Sequence, residues 1–145
     1  MNKEESESLE KLGIEFYVLS EIDEQWSYVE NKENQRWLWL AIDKKTGKVI
    51  TFVFGKRNDA TFLRLKKNLE NFDVRGYYTD DWGSYFRNIN QTYHHIGKKY
   101  TWRVERVNLT LRNAIKRLNR KTIGFSKSVE LHDKIIGSYI NEYLF

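Results

Sequence analysis

Residues 36–54 read RWLWLAID, then KKTG, then KVITFVF: two apolar runs rich in β-branched and aromatic residues, parted by a short turn that ends in glycine. This pattern is a β-hairpin signal and predicts adjacent antiparallel strands at 36–43 and 48–54. Upstream, residues 14–19 read as extended chain, and residues 21–29 alternate as a strand with Ile22, Trp26 and Tyr28 on one face. Three antiparallel strands are therefore expected. Downstream, Phe62, Leu65 and Leu69 recur at helical spacing from an N-cap at Asp59 to residue 71, and VRGYYT at 74–79 reads as a buried strand. A helix between two strands of one sheet implies a crossover to a parallel strand.

The rest of the chain adds a helical piece at 84–88, a strand at 93–96 and two amphipathic helices. The first of those helices carries Val104, Val107, Leu111, Ala114 and Leu118 on one face. The second carries Val129, His132, Ile136, Ile140 and Tyr143, and starts at Ser126 or Ser128. The order β-β-β-α-β-α-β-α-α describes an α/β domain, a mixed sheet with flanking helices. At 145 residues, one domain with a real core is the expectation.

Charge is unevenly spread: between residues 98 and 127 there are ten Lys and Arg and a single acid, Glu105. Nucleic acid is the partner such a segment suggests, although a basic stretch can also merely solvate a helix. Zero cysteines exclude disulfides, thiolate zinc sites and a cysteine nucleophile, and three histidines (His94, His95, His132) leave little for a histidine-based metal site. Any metal must be held mainly by oxygen. No apolar run approaches the roughly 20 residues that cross a bilayer, and the first ten residues are acidic, unlike a targeting peptide. A soluble cytoplasmic protein with no membrane partner is expected.

On this scaffold Asp23 lies in the first regular strand and Asp80 ends the strand reached by the crossover helix. If those strands are neighbours, both carboxylates meet near the carboxyl side of the sheet, a ready place for a metal. Glu105 opens the long helix, with Asn108 and Arg112 three and seven residues on, so a polar stripe faces the same point. Glu105 alone is also readable, with less weight, as a partner for Arg103 or Arg106.

Five blocks in order carry a more specific signal: EIDEQWSYV (21–29), RWLWLAIDKKTGKVITFVFG (36–55), YYTDDW (77–82), VERVNLTLR (104–112) and RKTIGFSKSVELHD (120–133). Together they resemble the catalytic half of the insertion sequence 1 family of transposases, a DDE-type group with a ribonuclease H-like fold. Residues 1–20 stand first as an acidic lead, and the resemblance implies a ribonuclease H-like catalytic domain after it, at 21–145. It also implies an Asp-Asp-Glu triad of Asp23, Asp80 and Glu105, with Glu24 and Asp81 as competitors for the first two places. By strand alternation Glu24 shares the face of Ile22 and Trp26, and Asp81 falls past the strand end, so both are the weaker ligands. The implied cofactor is a pair of Mg²⁺ ions, with Mn²⁺ as a substitute. Such hard cations take oxygen ligands and can activate the attacking group and stabilise the leaving oxygen of a phosphodiester.

The implied partners are DNA, as element ends and target, a second copy of the chain in the active complex, and a DNA-recognition region from an upstream frame. A truncated copy that only binds nucleic acid, or a nuclease of the same fold, are the alternatives. Asn108, Arg112, Lys116, Arg117, Arg120, Lys121 and Lys127, with Trp102 beside them, are the candidate DNA contacts. Trp26, Trp37, Trp39 and Trp82 read first as packing residues. His132 reads as a packed or hydrogen-bonded histidine.

Overall fold

The computed structural model describes residues 3–5, 17–28, 33, 35–80, 82–121 and 129–145; within these, the side chains of residues 28, 86 and 115–121 are outside the description. Three strands come first: β1 (Val18–Tyr28), β2 (Gln35–Asp43) and β3 (Val49–Gly55). β1 begins at Val18, so part of the extended stretch expected at 14–19 runs directly into the strand expected from 21. The turn between β2 and β3 closes on Asp43, whose carboxylate accepts from the Lys45 amide (2.9 Å) and the Thr46 hydroxyl (3.1 Å). Gly47 completes it with φ of 76°, a left-handed conformation that glycine adopts without steric cost.

Helix α1 (Asp59–Leu69) follows. Its N-cap is Asn58, not Asp59: Asn58 has extended dihedrals, and its Oδ1 accepts from the Thr61 amide at 3.0 Å. Asp59 sits one residue inside the helix and pairs with Arg87 at 2.7 Å. The crossover leads to β4 (Val74–Thr79), then α2 (Gly83–Asn88) and β5 (His94–Ile96). Two helices finish the chain, α3 (Trp102–Lys121) and α4 (Val129–Tyr143).

The sheet order is β3-β2-β1-β4-β5. β1, β2 and β3 are antiparallel neighbours, and β4 and β5 run parallel to β1. Alternation along β2 explains its near-continuous apolar sequence, because both faces of this strand are covered. Trp39 and Ala41 point into a core with Ile22, Phe62, Leu65, Leu69 and Tyr85, under α1 and α2. Leu38, Leu40 and Ile42 point the other way, into a second core with Val104, Leu111, Ile136 and Ile140 from α3 and α4. Among the described residues no helix is long and apolar enough to cross a membrane.

β1 is longer than its parallel partner. The β1–β4 pairing ends at Glu21 opposite Tyr78, while β1 continues to Tyr28 against β2. The half of β1 from residue 22 onward therefore has β2 on one edge and, among the described residues, a notch with no paired strand on the other, and Asp80 follows β4 at the mouth of that notch.

Candidate active site

Glu21, Asp23 and Gln25 alternate onto the face of β1 that meets α3, and Ile22, Glu24 and Trp26 onto the opposite face. A buried sheet face carrying three polar side chains in succession must satisfy each of them, and here each is bonded to α3. Glu21 is fully buried, and its Oε1 accepts from the backbone amides of Arg103 (3.1 Å) and Val104 (3.2 Å). A carboxylate on the first turn of a helix satisfies amides that have no partner within the helix and meets the positive end of its dipole. Lys44 approaches the other oxygen at 3.5 Å.

Beyond that anchor runs a directed chain of hydrogen bonds. Arg112 Nε donates to Gln25 Oε1 (2.9 Å), Gln25 Nε2 donates to Asn108 Oδ1 (3.0 Å), and Asn108 Nδ2 donates to Asp23 Oδ2 (3.0 Å). Asn108 is fully buried, so its amide has no other orientation that would satisfy both neighbours. The chain fixes the Asp23 carboxylate against α3.

Asp23, Glu24 and Asp80 each bring a carboxylate oxygen within 4.8 Å of the others. Glu24 belongs to this cluster although alternation sends it to the far face. The open edge of β1 lets its side chain reach the notch, which pattern reading had counted against it. One Glu24 oxygen accepts from Arg57 (3.0 Å) and the other from the Tyr85 hydroxyl. Burial raises the Glu24 carboxyl above the usual range, and burial together with Glu24 also holds the Tyr85 phenol protonated. For Asp23, burial first, then the charges of Glu24 and Asp80, push the carboxyl up to about 7.

Glu105 is exposed on the first turn of α3, where its Oε1 accepts from Thr101 Oγ1 at 3.4 Å. It is not one of the three carboxylates within 4.8 Å of each other. It stands three residues before Asn108, the side chain that touches Asp23. Arg112 is exposed and lines the same cleft as Asp23, Glu24, Asp80 and Arg57, a space of about 500 Å³. Trp102 is 49% exposed, with Arg103 and Arg106 lying 5.2 and 5.7 Å from its ring. Lys116, Arg117, Arg120 and Lys121 fall on α3, but their side chains lie outside the described residues, as do Asp81, Lys127, Ser126 and Ser128.

Sequence reading missed four contributors: Glu21, Gln25, Arg57 and Tyr85. The first two carried a usable signal, polar residues repeating on a strand face that must be buried. Arg57, in the loop after β3, carried none. Of the tryptophans, Trp39 is fully buried and Trp82 packs on it with ring centroids 5.1 Å apart. His132 is buried and bonded, with Nε2 2.5 Å from Ser27 Oγ and Nδ1 3.0 Å from Asp133. Asp133 in turn pairs with Arg36 at 2.7 Å, so this group ties β1 and β2 to α4.

A family model described as IS1 transposase matches residues 16–145. The insertion element iso-IS1n protein InsB of Shigella dysenteriae is 49% identical over 88% of this chain and 98% of its own length. The insertion element IS1 4 protein InsB of Escherichia coli is 49% identical over 89% of this chain and 77% of its own. In structure, a chain of the simian T-cell lymphotropic virus intasome in complex with PP2A regulatory subunit B56 gamma superposes with a TM-score of 0.62 at 14% identity, over 87% of this chain. The present chain spans about half of that one, 49%. The HTLV-2 integrase catalytic core domain, in complex with magnesium, superposes with a TM-score of 0.55 at 16% identity, over 85% of this chain and 82% of its own. The shared architecture is the ribonuclease H-like fold.

Proposed function

Because the chain belongs to the IS1 transposase family, we propose that it is the catalytic domain of an insertion-sequence transposase that cuts DNA strands and transfers them, with Asp23, Asp80 and Glu105 as its metal-holding triad. The observation that carries this reading is the meeting of Asp23 and Asp80 at the notch between β1 and β4. Domain limits near 21–145 are part of the same proposal, with the lead at 1–20 giving its last three residues, Val18 to Ser20, to β1.

The donor set suits a hard divalent cation. Every ligand atom in the cluster is a carboxylate oxygen, the chemistry that Mg²⁺ and Mn²⁺ prefer. Burial first, and then the charge of Glu24, raises the Asp23 carboxyl, a cost that a bound cation would offset. When bound, a pair of such ions would supply an activated water or 3′-hydroxyl and stabilise the leaving oxygen.

The chain's own groups do the positioning. Asn108 and Gln25 hold Asp23 in one orientation. Arg57 and Tyr85 hold Glu24, which makes Glu24 the supporting acid of the cluster and leaves the third place to Glu105. That assignment requires Glu105 to change rotamer while α3 stays in place, and the Glu21 anchor keeps the start of α3 where it is. Arg112 faces the cleft with a guanidinium suited to a phosphate. Trp102, Lys116, Arg117, Arg120, Lys121 and Lys127 are the further DNA contacts of this proposal. The partners proposed with this activity are DNA ends and target, a second copy of the chain, and a DNA-recognition region supplied from upstream.

Incubating the purified chain, alone and fused to the upstream region, with element-end DNA tests the proposal. Cleavage and strand joining are expected with Mg²⁺ or Mn²⁺ and not in EDTA, and Asp80→Asn or Glu105→Gln should abolish both. Full cleavage in EDTA overturns the metal reading. Binding without cleavage identifies a nucleic-acid-binding remnant, and cleavage without joining identifies a nuclease.

A further inference from the structure

Trp26 occupies an unusual place for an indole. It lies inside a central strand, yet it is 43% exposed, because the edge of β1 beside it is open. Its direct partner across the antiparallel pair is Trp37, so the two indoles stand on the same sheet face. Trp37 is partly buried against the α1-side core. Arg57 lies between two rings, 5.1 Å from that of Trp37 and 4.6 Å from that of Trp82, while its side chain keeps 41% of its surface in solvent. Single exposed aromatics are common and need no explanation. Here, however, Trp26, Trp37 and Arg57 line the same cleft of about 500 Å³ as Asp23 and Asp80, a size within the roughly 300–1,000 Å³ of small-ligand sites.

We propose that this end of the cleft takes one unpaired nucleotide of the DNA strand next to the scissile phosphate, its base stacked on Trp26 and its phosphate facing Arg57. The proposal rests on the reading of the carboxylates as a DNA-cleaving centre and adds the form of DNA that centre accepts. A paired base has both π-faces covered by its neighbours in the duplex, whereas an unpaired base offers a face to an indole. Because every base has such a face, stacking selects for lack of pairing and not for sequence. Arg57 is held in place by two aromatic faces and Glu24, so its guanidinium is pre-organised for an anion. The acids nearby repel phosphate, which makes the two arginines of the cleft, Arg57 and Arg112, the attractive elements for the strand.

Stacking one base on an aromatic side chain is worth about 1–3 kcal/mol, roughly a 5- to 150-fold change in affinity. Fluorescence anisotropy of the full chain, with Ca²⁺ as the cation, on a blunt duplex and on the same duplex carrying a short single-stranded overhang reads this preference. The wild-type chain should favour the overhang, and Trp26→Ala should lower the overhang-to-blunt ratio toward one, by a factor in that range. Trp26→Phe, which keeps a ring, should restore most of the ratio. A fluorescent adenine analogue in the overhang should be quenched by the wild-type chain and less by Trp26→Ala. Equal binding of both DNAs by the wild type, or a ratio unchanged in Trp26→Ala, overturns the platform and leaves the cleavage centre standing. Failure of the wild type to bind either DNA overturns the cleavage reading, and the platform with it.

Discussion

Removing one charge from the carboxylate cluster should stabilise the metal-free protein, and the gain should appear only as pH rises. Asp23 has its carboxyl raised from 3.8 to about 7, by burial first and then by Glu24. Between those values the native state holds a proton that the unfolded chain has released. Stability then falls with increasing pH, because its slope follows the protons bound by the unfolded state minus those bound by the native state. At 1.36 kcal/mol for each pH unit, the carboxylate costs about 4 kcal/mol once pH exceeds 7. Asp23→Asn removes that cost. The amide oxygen can still accept from Asn108, but it cannot replace both carboxylate oxygens, and one lost hydrogen bond returns about 1 kcal/mol. The net expectation is a variant about 3 kcal/mol more stable than wild type at pH 8 in EDTA, or about 9 °C in Tm for a chain of this size. Below pH 4 the sign reverses and the variant is less stable by about 1 kcal/mol. Urea unfolding of both proteins from pH 3 to 8.5 in EDTA measures the difference directly. Curves that do not cross, or a difference independent of pH, would refute the claim that burial and the neighbouring acids penalise the Asp23 carboxylate.

Two further substitutions probe the supports of the site. Glu21→Gln weakens the anchor that a buried carboxylate provides to the Arg103 and Val104 amides. It should cost about 2 kcal/mol and speed hydrogen exchange at those two amides before the rest of α3; unchanged exchange there would show that the anchor is dispensable. Asn108→Ala strands the Gln25 amide and removes a donor that lowers the Asp23 carboxyl. A loss of about 2 kcal/mol is expected, with Asp23 titrating above its wild-type value in carboxyl NMR; titration at a lower pH would show that Asn108 does not tune this group.

The hairpin of β2 and β3, the crossover through α1 and the strand at 74–79 were legible because each is specified locally. Turn residues, apolar period and flanking caps all agree there. The meeting of Asp23 with Asp80 was legible too, since it needs only that β1 and β4 be neighbours. The role of Glu24 was not. Alternation correctly sends it to the other face, but the outcome depends on where β4 stops pairing with β1, and that is set by tertiary packing. The cap at Asn58 was missed for a smaller reason: Asn and Asp are equally good cap residues, and the pattern alone does not choose between adjacent ones. Glu21 and Gln25 were readable in principle, because an acid and an amide facing a helix from a central strand need partners. Arg57 became a site residue only through rings contributed by β2 and by the segment after β4.

The central claim is that Asp23 and Asp80 hold divalent cations and that Glu105, not Glu24, completes the set. Mn²⁺ introduced into crystals of the protein, and located by its anomalous scattering, tests this most directly. The account requires anomalous density between Asp23 and Asp80, with a Glu105 carboxylate oxygen turned in to about 2.2 Å, near the distance these cations keep from oxygen, and Glu24 still bonded to Arg57 and Tyr85. Density ligated by Glu24 with Glu105 left in solvent, or no density at this cleft, would contradict it.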